Sequence, residues 1–204
     1  MRLEPFSITG QHVQLVPLAV NHAHALLAAA APDRSSYGYT GVPEDLPGMN
    51  AYINGLLAEA ERDTVVPFVQ VRRSDGAAVG CTRFMNVIWW TGRAAPAEVE
   101  IGGTWLAATA QRTALNTEAK LLLLTHAFEQ WGVFRVAICT DAANQRSRDA
   151  ILRIGAQFEG VLRRHRPSLG HFGTSGQARD SALYSITDGD WPSVRDQLRS
   201  RVDG

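Results

Sequence analysis

The chain has 204 residues, 45% of them hydrophobic, and its 20 Lys plus Arg cancel its 20 Asp plus Glu. That size and apolar content suit one domain with a real core, and a neutral chain without blocks of like charge lacks the electrostatic footprint of a nucleic-acid binder. Two distant cysteines without CxxC spacing, Cys81 and Cys139, argue against a disulfide framework or a zinc site, and no apolar run approaches the length that spans a bilayer.

The opening residues MRLEPFSITG lack the basic-then-apolar order of a signal peptide, so the expected setting is the cytoplasm. Residues 12–16 alternate polar and apolar before Pro17, which predicts a strand, and the Ala/Leu-rich stretch 21–30 predicts a helix. Residues 32–48 are rich in breakers and read as a loop, followed by a helix over 49–60. Strands over 65–72 and 78–85, joined at Ser74-Asp75-Gly76, form a hairpin, because Asp-Gly supplies positive φ at a turn. A third antiparallel strand over 98–106 returns through the loop TGRAAP. Leu121, Leu124, Phe128 and Trp131 then recur at helical spacing before Gly132, which predicts a helix over 117–131 with one buried face. The apolar run 134–140 reads as a central strand, and a crossover of this length makes it parallel to the strand at 98–106. Asn144 caps the next predicted helix, which turns Ala150, Ile151 and Ile154 inward and stops at Gly155. Strands at 157–162 and 180–186 complete the sheet, and Val194, Leu198 and Val202 mark an amphipathic closing helix at about 190–202.

Three motifs occur in a fixed order: Thr117-Glu118-Ala119, N-x-x-S from Asn144 to Ser147, and G-A-x-F-E-G over residues 155–160. Together they resemble the GNAT superfamily, in particular the branch that contains ribosomal-protein alanine N-acetyltransferases, over about residues 10–186. The resemblance implies a GNAT-like α/β fold over residues 1–204, with a mostly antiparallel mixed sheet, one splayed parallel strand pair and helices on both faces. It implies acetyl-CoA as cofactor, CoA as product, no metal, and an amine acceptor, with a lean toward a peptide N-terminus. Transfer would be direct, without a covalent enzyme intermediate, and a homodimer is the default assembly.

The resemblance also assigns residues. The strand ending at Trp105 and Leu106 resembles one that pairs with pantetheine, with a backbone N–H near Leu106 or Ala107 polarising the thioester. Gly102 and Gly103 within it suit a bulge, a close backbone approach or a simple packing constraint. Residues 111–117 resemble the diphosphate loop, since a helix N-terminus offers unpaired N–H groups and partial positive charge. Gln111, Arg112, Thr113, Ala114, Asn116 and Thr117 are its candidate contacts. The family pattern Q/R-x-x-G-x-G/A falls on residues 109–114, so Arg112 replaces the first glycine, although its guanidinium can grip phosphate in a fork. Glu98 and Glu100 share a strand face. The resemblance favours Glu100 as the group that takes the ammonium proton, with Glu98 beside the acceptor. Many relatives carry a proton-donating tyrosine where this chain has Ile151, which leaves Ser147 to serve the departing thiolate and Asn144 to orient it. Tyr37, Tyr39 and the Trp89-Trp90 pair, Trp90 in particular, could line an acceptor pocket.

Each assignment has a plainer alternative. The loop can simply cap a core helix, the two glutamates can be solvated edge-strand charges, Asn144 and Ser147 can be cap residues only, and the aromatics can be packing. The substituted glycine and absent tyrosine also suit a non-catalytic acyl-CoA-binding module. The six histidines lack metal-ligand spacing and read as surface residues, and Asp180 reads as a structural hydrogen-bond acceptor.

Overall fold

The computed structural model describes residues 3–170 and 176–204. Its strands are β1 (Ile8–Thr9), β2 (Val13–Pro17), β3 (Val65–Arg72), β4 (Ala78–Ile88), β5 (Glu98–Leu106), β6 (Arg135–Asp141), β7 (Gln157–Pro167) and β8 (Ala178–Thr187). They form one sheet in the order β1-β2-β3-β4-β5-β6-β8-β7. Every neighbouring pair is antiparallel except β5 and β6, which run parallel as the crossover length demands. The helices are α1 (Ala23–Ala30), α2 (Leu46–Ala60), α3 (Ala114–Thr125), α4 (Gln145–Arg153) and α5 (Trp191–Asp203).

Strand alternation divides the apolar side chains between two cores. On one face Leu15, Phe68, Phe84, Val99, Ile101, Val136 and Ile138 pack against Leu115, Leu123 and Leu124 of α3 and Leu198 of α5. On the other, Val69, Cys81 and Trp105 meet Leu26 of α1 and Met49, Ile53 and Leu56 of α2. Helices therefore cover both faces.

Element ends differ from expectation where a side chain decides them. The helix expected over 49–60 starts at Leu46, because the Asp45 carboxylate caps the Gly48 N–H at 2.7 Å and Pro47 fits a first turn. The helix expected over 117–131 starts at Ala114, where Thr113 Oγ1 caps the Leu115 N–H at 3.3 Å. It ends in a wider turn at His126–Gln130, whose Trp131 N–H reaches the His126 carbonyl at 3.1 Å.

The start of α3 is tied to the far end of the sheet by one carboxylate. Glu118, buried, accepts from the N–H groups of Gln11, His12 and Val13 at 2.6, 2.7 and 2.7 Å, closing the turn between β1 and β2. A Cβ at Gly10 would lie 2.4 Å from the Glu118 carboxyl carbon, so only glycine admits the clamp. Bonds to a charged acceptor are the stronger kind, and losing them strands three partly buried donors. Glu118→Ala should therefore cost about 3 kcal/mol, or roughly 6–12 °C of Tm, in reversible unfolding; a loss below about 1 kcal/mol would contradict the clamp.

Candidate active site

β5 and β6 pair over only Glu98, Val99 and Glu100, facing Arg135, Val136 and Ala137, and then separate. The outer edge of each stays hydrogen-bonded, β5 to β4 and β6 to β8, while the edges facing each other across the gap do not pair along residues 101–106 and 138–141; only at the far ends are they occupied, the Leu106 carbonyl by Tyr37 and Gln111 and the Asp141 carbonyl by the Asn144 N–H. β5 carries a bulge that helps turn it away: Cys81 pairs with Trp105 but Arg83 with Gly102, three residues set against two. The extra position is Gly103 at φ 57°, where a Cβ would lie 2.4 Å from the Arg83 guanidinium carbon. The gap opens into a cleft with about 1500 Å³ of empty space including its mouth. Ile101 to Leu106 form one wall and Ile138 to Thr140 the other, with Asn116 and Lys120 of α3 and Ser147, Ala150 and Ile151 of α4 also facing it.

Glu100 lines this cleft and is buried, and β5 is an interior strand, so the edge-strand reading of the two glutamates is wrong. Arg166 grips the Glu100 carboxylate with both arms, 2.8 Å to Oε1 and 2.6 Å to Oε2, and Asn86 donates to Oε2 at 2.8 Å. Glu98 instead pairs with Arg135 at 2.6 Å, outside the cleft lining, because β5 and β6 are still zipped at its level. Trp90 also lies outside it, exposed, with its ring 5.3 Å from that of Phe134 in the turn region before β5. Tyr37 and Tyr39 line the cleft, and the buried Tyr37 donates its hydroxyl to the Leu106 carbonyl at 3.0 Å.

Around α3, Trp105, Leu106, Gln111 and Asn116 reach the cleft. Arg112, Thr113, Ala114 and Thr117 do not line it; Thr113 and Ala114 border a separate hollow beside His12 and Arg73. Arg112 adopts φ 59°, the left-handed conformation that glycine takes without cost, so the substituted position keeps the backbone shape that glycine would favour. Among the described residues the N–H groups of Arg112 and Thr113 have no protein acceptor. The buried Asn116 Oδ1 has no partner either. Ala107 is corrected: its N–H donates to the Val79 carbonyl at 2.7 Å and is not free to polarise a ligand. Gln111 Nε2 bonds the Leu106 carbonyl at 2.8 Å and Ser36 Oγ at 2.9 Å, while its Oε1 accepts from Arg146 of α4, so one side chain spans the cleft mouth.

On α4, Asn144 Oδ1 caps the Ser147 N–H at 3.1 Å. Ser147 lines the cleft and its hydroxyl has no protein partner among the described residues; Ile151 lines it as a buried apolar wall. Asp180 accepts the Arg164 N–H at 2.8 Å, a structural bond. His126 departs from the surface reading, since its ring stacks on Phe6 at 3.9 Å and meets Trp131 at 4.8 Å, and burial lowers its pKa to about 4. His171 lies outside the described residues. Among the described residues no cluster of three or more His, Cys, Asp or Glu could hold a metal ion, and no helix is long and apolar enough to cross a membrane.

Sequence reasoning missed Lys120, Arg83, Arg166 and Arg179, all on the cleft lining. Lys120 is buried without a carboxylate partner, donating to Thr104 Oγ1 at 2.6 Å and Thr82 Oγ1 at 3.4 Å. Its position directly after the T-E-A motif, one residue on from the buried Ala119, was the available signal.

A model of the acetyltransferase (GNAT) domain matches residues 12–157. No curated protein matches the chain. Among solved structures, a GCN5-related N-acetyltransferase from Brucella melitensis aligns with TM-score 0.86 at 22% identity, covering 99% of this chain and 87% of that one. A T. thermophilus protein assigned to the acetyltransferases aligns at 0.81 and 30% identity, covering 99% and 100%. Mycobacterium smegmatis RimJ, solved in complex with CoA-disulfide, aligns at 0.77 and 24% identity, covering 97% and 95%.

Burial lowers the Lys120 pKa from 10.5 to about 7. Between those values the unfolded chain binds a proton that the folded chain does not, so this group makes stability rise with pH across that window, and below about 7 the folded state bears the full cost of a buried charge. Lys120→Met should raise Tm by roughly 5 °C or more at pH 6, and by less at pH 9, in scanning calorimetry. An equal change at both pH values would contradict the assignment.

Proposed function

This chain belongs to the GNAT acetyltransferase family, and on that premise we propose that it moves an acetyl group from acetyl-CoA to a primary amine by direct attack in a ternary complex. One observation carries the reading: two parallel strands with free edges diverge beside the start of α3. The residues present fit the cofactor. An extended, amide-bearing arm can pair with a free strand edge as a further strand would. Asn116 Oδ1 is a buried acceptor without a partner, and the amides of Arg112 and Thr113 await an anion at the helix start.

Trp105, Leu106 and Asn116 would hold the pantetheine arm, and the diphosphate would sit just past the cleft lining at the amides of Arg112 and Thr113, with Gln111 at the mouth between the two. Bound acetyl-CoA supplies a thioester whose carbonyl carbon is open to attack by a neutral amine, with the thiol departing. Glu100 is the one carboxylate among the lining residues. Its Oε1 makes a single protein bond, to Arg166, so a lone pair remains to accept a proton or hydrogen bond from the amine, directly or through water. Ser147, held facing the cleft by the Asn144 cap, would donate its hydroxyl hydrogen bond to the leaving sulfur. Ile151 in that wall supports one rival reading, a module that binds acyl-CoA without transferring the group.

Thiol release from acetyl-CoA across a panel of primary amines separates the two. The wild type should turn over, and Ser147→Ala should lower kcat by about 10–100-fold while KM for acetyl-CoA stays within about 3-fold. If CoA raises Tm while no amine elicits thiol above the hydrolytic background, the module reading stands instead.

A further inference from the structure

The cleft lining holds five cationic side chains, Arg83, Lys120, Arg146, Arg166 and Arg179, against one carboxylate, Glu100. Four of the five have partners, Arg83 through the Tyr52 hydroxyl of α2. Arg166 is spent on Glu100, Arg146 on Gln111, and Lys120 on two threonine hydroxyls. Arg83 and Arg179 form no ion pair with any described residue, and the Nε of each is buried without a hydrogen-bond acceptor. Both side chains are partly buried, and a partly desolvated cation without an anion, with a buried N–H that lacks an acceptor, carries a cost.

Strand geometry sets these two arginines on the acceptor side. A Cβ at Gly102 would lie 3.2 Å from Glu100 Oε1 and 2.7 Å from the Met85 sulfur, so Glu100 occupies the face toward α2. Arg83, two residues before Met85, shares that face and lies beside Tyr52 of α2. Arg179 pairs directly across from Arg166, so their side chains share one face of the β7–β8 ladder, and that face is the one from which Arg166 reaches Glu100. Lys120 comes from α3 on the opposite face, and the helix start that suits a diphosphate lies on its side of the sheet. The unmatched positive charge thus surrounds the proposed amine position.

Resting on the acetyl-transfer reading, we propose that the acceptor is an amine that also carries a carboxylate, the carboxylate held by Arg83 and Arg179 while the nitrogen faces Glu100. Two sources offer that chemistry: a free amino acid, through its α-carboxylate, or a peptide N-terminus with an acidic side chain. The reaction is the ordinary one, in which the nitrogen–carbonyl bond forms as the carbon–sulfur bond breaks and the amine proton leaves by way of Glu100 or water.

The test compares free amino acids, their α-amides, the decarboxylated amines, and C-terminally amidated dipeptides beginning with Asp, Asn, Glu or Gln. Thiol release gives kcat/KM, and thermal shift of the CoA-loaded protein reports acceptor binding independently of turnover. Carboxylate-bearing amines should exceed their neutral counterparts by about 30–100-fold. In Arg83→Met and, separately, Arg179→Gln, that ratio should fall toward one, with Arg83→Lys recovering part of it. Preference among the carboxylate-bearing set tells free acid from acidic peptide. Neutral amines equal to or better than the acids, or a ratio unmoved in both variants, overturns the proposal. If no amine is turned over yet amino acids still raise Tm only when both arginines are present, the acetyl-transfer reading fails and the carboxylate site stands.

Discussion

Everything at the candidate site depends on β5 and β6 parting after three paired residues. A parallel pair that stayed zipped would satisfy its own amides and carbonyls and leave no space between them. The extra residue at the Gly103 bulge tilts β5 toward its β4 partner, which keeps its bonds on that side while the other edge goes unpaired. On the far side, β8 holds β6 along its full length, so the gap is bounded by two rigid walls. The Glu118 clamp fixes the start of α3 to the β1–β2 turn, which keeps the helix amides beside the gap instead of free to drift along it.

Charge is distributed across this gap unevenly, with most of it on one side of the sheet. Toward α3 lie neutral donors and acceptors with one buried lysine, whose ammonium leans on two threonine hydroxyls. Toward α2 lies a carboxylate held by one arginine, with two further guanidinium groups close by in the lining. Glu100 and Lys120 are buried and the three arginines partly so; charges withdrawn from water weaken a fold unless a partner satisfies them, so their presence at a cleft is better explained by ligand chemistry than by stability. Arg112 illustrates the same trade locally, because a non-glycine residue accepts a left-handed backbone at the turn that opens α3.

Much of the architecture was legible in the residues because it rests on local patterns. Alternation over residues 65–72 and 78–85, helical spacing from Leu121 to Trp131, and the length of the crossover into residues 134–140 carry the strand order around the gap. Alternation put Glu98 and Glu100 on one face, and the family resemblance added the place of the cleft and the choice of Glu100. What escaped was long-range pairing. Nothing in the sequence joins Arg166 to Glu100 across 66 positions, or tells Glu98 from Glu100, since their different fates follow from where the strands part. Trp90 looked like a pocket residue by type, yet it sits on the Phe134 ring outside the lining. Lys120 was hidden for a related reason: a lysine on a helix reads as solvated until the threonines of two other strands are seen around it.

Amide hydrogen exchange with and without CoA tests the central claim most directly, because free strand edges and a helix start report ligand contact through their own N–H groups. The account predicts slower exchange with CoA at residues 101–106, 112–117 and 138–141, with β1 to β3 unchanged. Unaltered exchange in those segments at saturating CoA, or slowing confined to other parts of the sheet, would contradict it.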